Sequence, residues 1–226
     1  MGRALVLTCE HASPLIPEAL RHLFKHDAEI LNSHRGWDQG AAAITVAMAE
    51  RLKCPSVFSG SWSRLLVDLN RSEHHPKLYS PWTRSLPKSE REHIFNVFYL
   101  PFRLQVQQAM DSLLKSGFRI LHLSIHTFTP VLDGQIRACD LGLLYDPRRD
   151  AELQLAKEWE RNLGIQTDLK VRRNYPYRGN SDGHVTHLRK RFSENYLGLE
   201  IECNQGLLES YTPQVLAQQL LASLPE

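Results

Sequence analysis

The sequence predicts a three-layer α/β/α fold, in which a mostly parallel sheet lies between two layers of helices. Short apolar runs that suit buried strands alternate with helical segments along the chain, which is the pattern of a parallel sheet. The length of 226 residues fits one large domain better than two. Because no repeat or low-complexity linker divides the chain, we expect one domain over residues 1–226.

The predicted strands are short apolar runs bounded by polar residues, Gly or Pro. They cover residues 4–9, 56–59, 65–68, 120–125, 140–145, 169–172 and 196–203. In open parallel sheets, ligands bind beyond the carboxyl ends of the strands. The residues that follow each strand are therefore the first candidates for a functional site.

Start and stop signals place the first helices between these strands. Asp38 is expected to cap a helix that Pro55 stops. Ser89 begins a capping box, and the helix that follows it is expected to bend at Pro101 and to end at Gly117.

Two further helices and two long loops complete the chain. A helix over residues 151–163 is closed by Gly164, and Thr212 caps the last helix. Residues 71–88 and 174–183 are rich in polar residues, Pro and Gly, which predicts loops in both places. Loops this long are more often functional than idle.

Composition and charge argue against several classes of function. With 27 basic and 25 acidic side chains, the net charge of +2 leaves no basic surface for nucleic acid or an anionic membrane. No apolar run approaches the length of a membrane-spanning helix. Four scattered cysteines without a CxxC motif, and no signal-peptide pattern after Met1, predict a reduced, cytoplasmic protein. The oligomeric state stays open.

Histidine and carboxylate side chains lie at the ends of the predicted strands. These residues are Glu10, His11, His126, Glu200 and Glu202. Glu200 and Glu202 share the parity of their strand, so both point to the same face of the sheet. Neutral imidazole with carboxylate suits a zinc ion that keeps an open position for water. The residues alone therefore predict a metal-hydrolase site.

Each of these residues also has an ordinary structural explanation. His126 could be a hydrogen-bonded loop residue, and Asp38 could be only a helix cap. The paired glutamates could form a solvated strand edge. His184 and His187, three residues apart on a short predicted helix, are weaker candidates for metal ligands.

Six motifs in a fixed order resemble the N-formylglutamate amidohydrolase family. They are residues 10–11 (EH), 36–40 (GWDQG), 63–71 (SRLLVDLNR), 126–130 (HTFTP), 174–183 (NYPYRGNSDG) and 202–205 (ECNQ). Each motif is weakly specific, but together they extend from about residue 6 to residue 205. The resemblance implies a phosphorylase/hydrolase-like α/β/α fold and a distant relation to zinc carboxypeptidases and aspartoacylases.

The resemblance also implies one zinc ion, held by His11, His126 and a carboxylate. The His-x-x-Glu spacing of the aspartoacylases is absent, because Pro14 stands three residues after His11. We expect Asp38 to supply the carboxylate, with Glu10 as the alternative.

The resemblance further implies residues that bind the substrate. A guanidinium fork and a neighbouring amide match a carboxylate, which assigns this task to Asn70 and Arg71. Asp68 is expected to orient Arg64, itself a substrate-site candidate, and Arg137 could bind a second carboxylate or polarise the scissile carbonyl. The remaining candidates, in the 174–183 loop, are Asn174, Tyr177 and Asp182.

The expected reaction is the metal-assisted hydrolysis of an N-formyl or other N-acyl amino acid. N-formyl-L-glutamate, giving formate and glutamate, is the first candidate substrate. Glu202 is the first choice for the base that takes the water proton, and Glu200 is the second. Two alternatives stay open: a zinc hydrolase acting on another N-acyl amino acid or small peptide, and a non-catalytic domain that binds a small molecule.

Overall fold

The computed structural model describes residues 2–54 and 56–225, and its centre is a six-stranded sheet. The strands of this sheet are β1 (Arg3–Cys9), β2 (Val57–Ser59), β3 (Arg119–Phe128), β6 (Leu141–Leu144), β7 (Val171–Arg173) and β8 (Tyr196–Asn204), while β4 (Val131–Leu132) and β5 (Gln135–Ile136) form a separate hairpin. The order across the sheet is β2-β1-β3-β8-β6-β7. Neighbours pair in parallel except β6 and β8, which are antiparallel. The prediction of a mostly parallel sheet is confirmed.

Helices cover both faces of this sheet. They are α1 (Ala28–Leu31), α2 (Ala41–Leu52), α3 (Pro81–Arg84), α4 (Lys88–Ile94), α5 (Leu100–Lys115), α6 (Asp150–Gln166), α7 (His184–Arg191) and α8 (Pro213–Ser223), with short 3-10 helices at Glu18–Phe24 and Gln205–Glu209. Helices α2, α6 and α8 bury one apolar cluster, and α5 and α7 bury a second one on the opposite face. The three-layer prediction is confirmed. Within the described residues, no helix is both long and apolar enough to cross a membrane.

The predicted strand at residues 65–68 is wrong, because this segment forms turns. The backbone N–H of Leu66 donates to the Ser63 carbonyl (2.9 Å), and the Leu66 carbonyl accepts from the Thr83 hydroxyl (3.0 Å). Its apolar side chains are buried all the same, in the cluster beside α5. The run of apolar residues predicts a buried strand, but the backbone of this segment forms hydrogen bonds within turns and with a side chain.

Two predicted helix caps are also wrong. Helix α2 follows Gly40, whose φ of 85° is left-handed, and the Asp38 side chain makes no capping hydrogen bond. Asp38 is instead directed toward the histidines of the site described below. Helix α4 begins at Lys88 after Pro87, so Ser89 lies inside the helix and no capping box forms.

The other expected helix boundaries have different outcomes. Helix α6 continues past Gly164 to Gln166, because Gly164 does not adopt the positive φ by which a glycine ends a helix. A π-helical turn at Phe95–Tyr99 precedes Pro101, which lies in the first turn of α5, where its missing N–H is tolerated. Pro55, the expected stop of α2, lies outside the described residues.

Candidate active site

Three predicted metal ligands meet beyond the ends of two adjacent parallel strands. His11 follows β1, His126 lies near the end of β3, and Asp38 lies in the segment before α2. Asp38 Oδ2 lies 3.3 Å from His11 Nδ1 and 2.8 Å from His126 Nδ1. One donor atom from each residue lies within 4.8 Å of the others, and all three residues are buried. These three side chains could hold one metal ion.

The partners of the two Nε2 atoms indicate where each histidine ring carries its proton. His11 Nε2 lies 2.7 Å from Asp68 Oδ1, and His126 Nε2 lies 3.0 Å from Ser124 Oγ. These partners assign the Nε2–H tautomer to both rings, so both Nδ1 lone pairs face Asp38. Two lone pairs and a carboxylate oxygen repel one another unless a proton or a metal ion lies between them. The donor set therefore fits a zinc ion.

The charges around this group keep its carboxylates ionised. Burial alone would raise the pKa of Asp38, but His11 and Arg64 hold it well below its ordinary range. Arg64 and His11 likewise outweigh burial at Asp68 and lower the pKa of that carboxyl. Despite its burial, His126 has a raised pKa because the negative charges of Asp38 and Glu10 lie beside its two ring nitrogens. Ionised carboxylates are the form that a metal ligand or an orienting group requires.

Glu10, the alternative ligand, lies behind His126 rather than beside the Nδ1 atoms. It is fully buried, and its Oε2 accepts a hydrogen bond from the Ser124 hydroxyl at 2.6 Å. Its Oε1 lies 2.8 Å from His184 Nδ1. The structure thus brings Asp38, and not Glu10, to the donor group. Sequence reasoning missed Ser124, although its position two residues before His126 on one strand face was a usable signal.

Arg64 bridges the two carboxylates that contact His11. Its Nη1 donates to Asp38 Oδ1 at 3.2 Å, and its Nη2 donates to Asp68 Oδ2 at 3.3 Å. The expected pairing of Asp68 with Arg64 is present. Because Arg64 occupies Oδ1 of Asp38, the other oxygen, Oδ2, is left to face the histidines.

A cavity of about 300 Å³ opens beside the donor group. Besides His11, Asp38 and Arg64, the predicted site residues that line it are Asn70, Arg71, Arg137, Tyr177, Asp182, Glu200 and Glu202. Asn174 does not line the cavity. Its backbone is left-handed, and its Oδ1 accepts from the N–H groups of Tyr145 (3.1 Å) and Gly179 (3.0 Å). Asn174 therefore holds the shape of the loop that contains Tyr177 and Asp182.

Asn70 and Arg71 lie together on one wall of the cavity. Asn70 Oδ1 accepts the backbone N–H of His184 at 2.7 Å, which leaves the amide nitrogen of Asn70 as a donor toward the site. Arg71 Nη1 donates to the Asp182 carbonyl at 3.0 Å. Its Nε is buried and has no hydrogen-bond partner within the described residues. The pair thus offers an amide and a guanidinium to an anionic ligand.

Arg137 supplies a second cation on another wall. Its Nη1 donates to the Tyr177 hydroxyl at 3.1 Å, and its guanidinium lies over the rings of Tyr177 (5.3 Å) and Phe128 (5.8 Å). It makes no ion pair within residues 2–54 and 56–225. Aromatic rings hold this guanidinium in place without neutralising its charge.

Glu200 and Glu202 both face the cavity from β8, as their shared parity predicts. Glu202 is paired in register with His126 on the neighbouring strand β3. Burial raises its pKa to about 8, and the negative charges of Asp38 and Glu200 act in the same direction. Burial also raises the pKa of Glu200. A carboxyl group with a pKa near neutrality is suited to accept and return a proton.

The chain matches one protein family over most of its length. The family model described as N-formylglutamate amidohydrolase matches residues 3–209. No curated protein sequence matches the chain significantly.

Solved structures resemble the fold over nearly the whole chain. The gene product Atu2144 from Agrobacterium tumefaciens is 27% identical with a TM-score of 0.82, covering 97% of this chain and 90% of its own. An N-formylglutamate amidohydrolase from Ralstonia eutropha JMP134 is 19% identical with a TM-score of 0.69, covering 99% and 93%, and at this identity it supports the fold alone. A metallo-carboxypeptidase from Pseudomonas aeruginosa is 16% identical with a TM-score of 0.44, covering 99% of this chain and 56% of its own.

Proposed function

This chain belongs to the N-formylglutamate amidohydrolase family and is a hydrolase that acts on amide bonds, and we propose that it uses zinc to hydrolyse N-formyl-L-glutamate to formate and L-glutamate. The observation that supports this proposal most is the placing of an imidazole–carboxylate–imidazole group beside a cavity that Arg71 and Arg137 line. The imidazole–carboxylate–imidazole group suits zinc, and the two arginines suit a small substrate with two carboxylates.

The metal would be held by His11 Nδ1, Asp38 Oδ2 and His126 Nδ1. When bound, zinc supplies a Lewis acid for the amide carbonyl and lowers the pKa of water toward about 7. The side chains around these three keep them oriented, because Asp68 holds the ring of His11 and Arg64 holds the carboxylate of Asp38.

Two arginines would recognise the two carboxylates of the substrate. Arg71 and the Asn70 amide would bind one carboxylate, since both side chains line the same part of the cavity. Arg137 would bind the other, because its charge is held by rings and not by an acid. Tyr177 and Asp182 would shape this end of the cavity, and Asn174 would fix the loop that presents them.

Glu202 would move the proton during hydrolysis. It would take a proton from the attacking water and return it to the amine that leaves, so that the free amino acid departs neutral at nitrogen. Its raised pKa and its position across from His126 favour it over Glu200. Glu200 is the second candidate for this role.

Hydrolysis rates on a panel of substrates test whether the acyl group is formyl and whether the amino acid is glutamate. We expect the purified protein to release formate from N-formyl-L-glutamate faster than from N-formyl-L-glutamine, which lacks the side-chain carboxylate. Faster hydrolysis of N-acetyl-L-glutamate or of a small peptide would assign another substrate to the same site. Hydrolysis of none of these compounds by the zinc-loaded protein would favour a binding domain without catalysis.

A further inference from the structure

We propose that Glu10, acting with Ser124 and His184, is a positioning residue that fixes the orientation and the tautomer of His126. This inference rests on the metal site of the proposed function but not on the identity of the substrate. Glu10 lies next to His11 in the chain, yet it serves the histidine of the neighbouring strand.

The contacts of Glu10 converge on the ring nitrogen of His126 that faces away from Asp38. Glu10 Oε2 lies 3.3 Å from His126 Nε2, and Ser124 Oγ lies 3.0 Å from the same nitrogen. Ser124 donates its own proton to Glu10, so its oxygen lone pairs are free to accept from the imidazole. His126 Nε2–H thus donates to Ser124, with the negative charge of Glu10 3.3 Å away and the Asn70 amide nitrogen 3.5 Å away. This leaves Nδ1 as the atom that offers a lone pair.

His184 fixes Glu10 in turn. Its Nδ1 lies 2.8 Å from Glu10 Oε1, while its Nε2 is buried without a hydrogen-bond partner in the part of the chain that the structure describes. A neutral ring with its proton on Nδ1 explains both observations. The backbone N–H of His184 donates to Asn70 Oδ1, which ties this network to the cavity wall.

A second buried glutamate shows what a structural carboxylate looks like in this fold. Glu152 is also fully buried, but it pairs with the guanidinium of Arg189 at 3.0 Å and accepts the backbone N–H groups of Asp146 and Gly198. Glu10 makes no ion pair with Lys or Arg among the described residues. Its side-chain partners are one hydroxyl and two imidazoles, one of which belongs to the metal group. This set is suited to direct a ring rather than to neutralise a buried charge.

The test measures zinc affinity and not only activity. Glu10→Gln keeps the size of the side chain but removes its charge, and we expect zinc affinity to fall by about 10- to 100-fold, as is typical when a partner of a metal-ligating histidine is lost. Glu152→Gln is the matched control, and its zinc affinity should equal that of the wild type even if its stability falls. Competition with a chelator on folded protein gives both affinities.

A second variant and a spectroscopic readout keep the test decisive. Ser124→Ala should weaken zinc binding in the same direction, so the inference can be tested even if Glu10→Gln does not fold. In zinc-free protein at a pH where the ring is neutral, the ¹⁵N shifts of His126 should report a Nε2–H tautomer in the wild type and a mixture of tautomers in the variants. Wild-type zinc affinity and wild-type ring shifts in the folded variants would overturn the positioning role.

The same measurements separate this inference from the proposed function. Zinc binding that weakens in the Glu10 variant, in a protein that releases no formate, would support the positioning role and reject the substrate. A wild-type protein that binds no divalent metal would overturn both.

Discussion

Replacing Arg71 by Ala removes the guanidinium that we assign to a substrate carboxylate. The side chain is half-buried, its Nη1 donates to the Asp182 carbonyl at 3.0 Å, and its Nε lies 3.8 Å from Asp68 Oδ2. The guanidinium is therefore held by Asp182 and by the nearby carboxylate of Asp68, and its side chain lines the cavity. The substitution should remove this guanidinium, while Arg64 still holds Asp68 beside His11.

The size of the effect follows from the type of contact. A hydrogen bond to a charged group contributes about 1.5–3 kcal/mol, which corresponds to roughly a 10- to 150-fold change in affinity. Because the carboxylate is present in the bound substrate and in the transition state alike, the loss should raise KM and leave kcat nearly unchanged. Arg71→Lys should lie between the wild type and Arg71→Ala, since an ammonium keeps the charge but not the fork.

Steady-state kinetics on two substrates tests this reasoning. N-formyl-L-glutamate is compared with its α-amide and with N-formyl-L-glutamine, each of which lacks one carboxylate. The Arg71→Ala effect should disappear for one of these two analogues. Arg178→Ala is the matched control, because this exposed arginine also lines the cavity but has no assigned role. An unchanged KM, or an equal loss with all three substrates, would remove Arg71 from the substrate site.

Three further predictions concern the metal group, the proton carrier and a buried histidine. His126→Ala should abolish stoichiometric zinc binding while the circular dichroism spectrum stays native; zinc retained at one equivalent would refute its role as a ligand. Glu202→Gln should lower kcat by roughly 100-fold or more with zinc content unchanged, as expected when a general base is lost; activity close to that of the wild type would transfer the role to Glu200. Burial lowers the pKa of His122 to about 3, with Thr8 and Tyr196 as its hydrogen-bond partners. Because the unfolded chain binds this proton near pH 6.5 and the folded chain does not, stability should fall as the pH falls, by about 2 kcal/mol between pH 7.5 and pH 5. Urea denaturation at both pH values should show a smaller loss for His122→Gln, and an equal loss would contradict the assignment.

The fold could be predicted from local patterns wherever the backbone pairing follows those patterns. The apolar runs at β1, β3 and β8 are buried strands, and their alternation with helices indicates the layers. Residues 65–68 mislead because burial and strand pairing are separate properties. Their side chains enter the core, but their backbone groups bond within turns.

The metal group could be proposed from the sequence because strand ends meet at one sheet edge. Asp38 was ambiguous, since the same residue type caps helices and binds metals, and only its contacts with His11 and His126 place it in the site. The link between Glu10 and His184 joins residues 174 positions apart. Local periodicity carries no information on such a contact, because it depends on how α7 packs against the sheet.

Metal dependence is the central claim, and one experiment tests it most directly. The metal content of the purified protein is measured together with formate release from N-formyl-L-glutamate, before and after treatment with a chelator and again after zinc is restored. The account predicts about one zinc ion per chain, loss of formate release on chelation, and recovery with zinc. Formate release that persists in fully metal-free protein would contradict it.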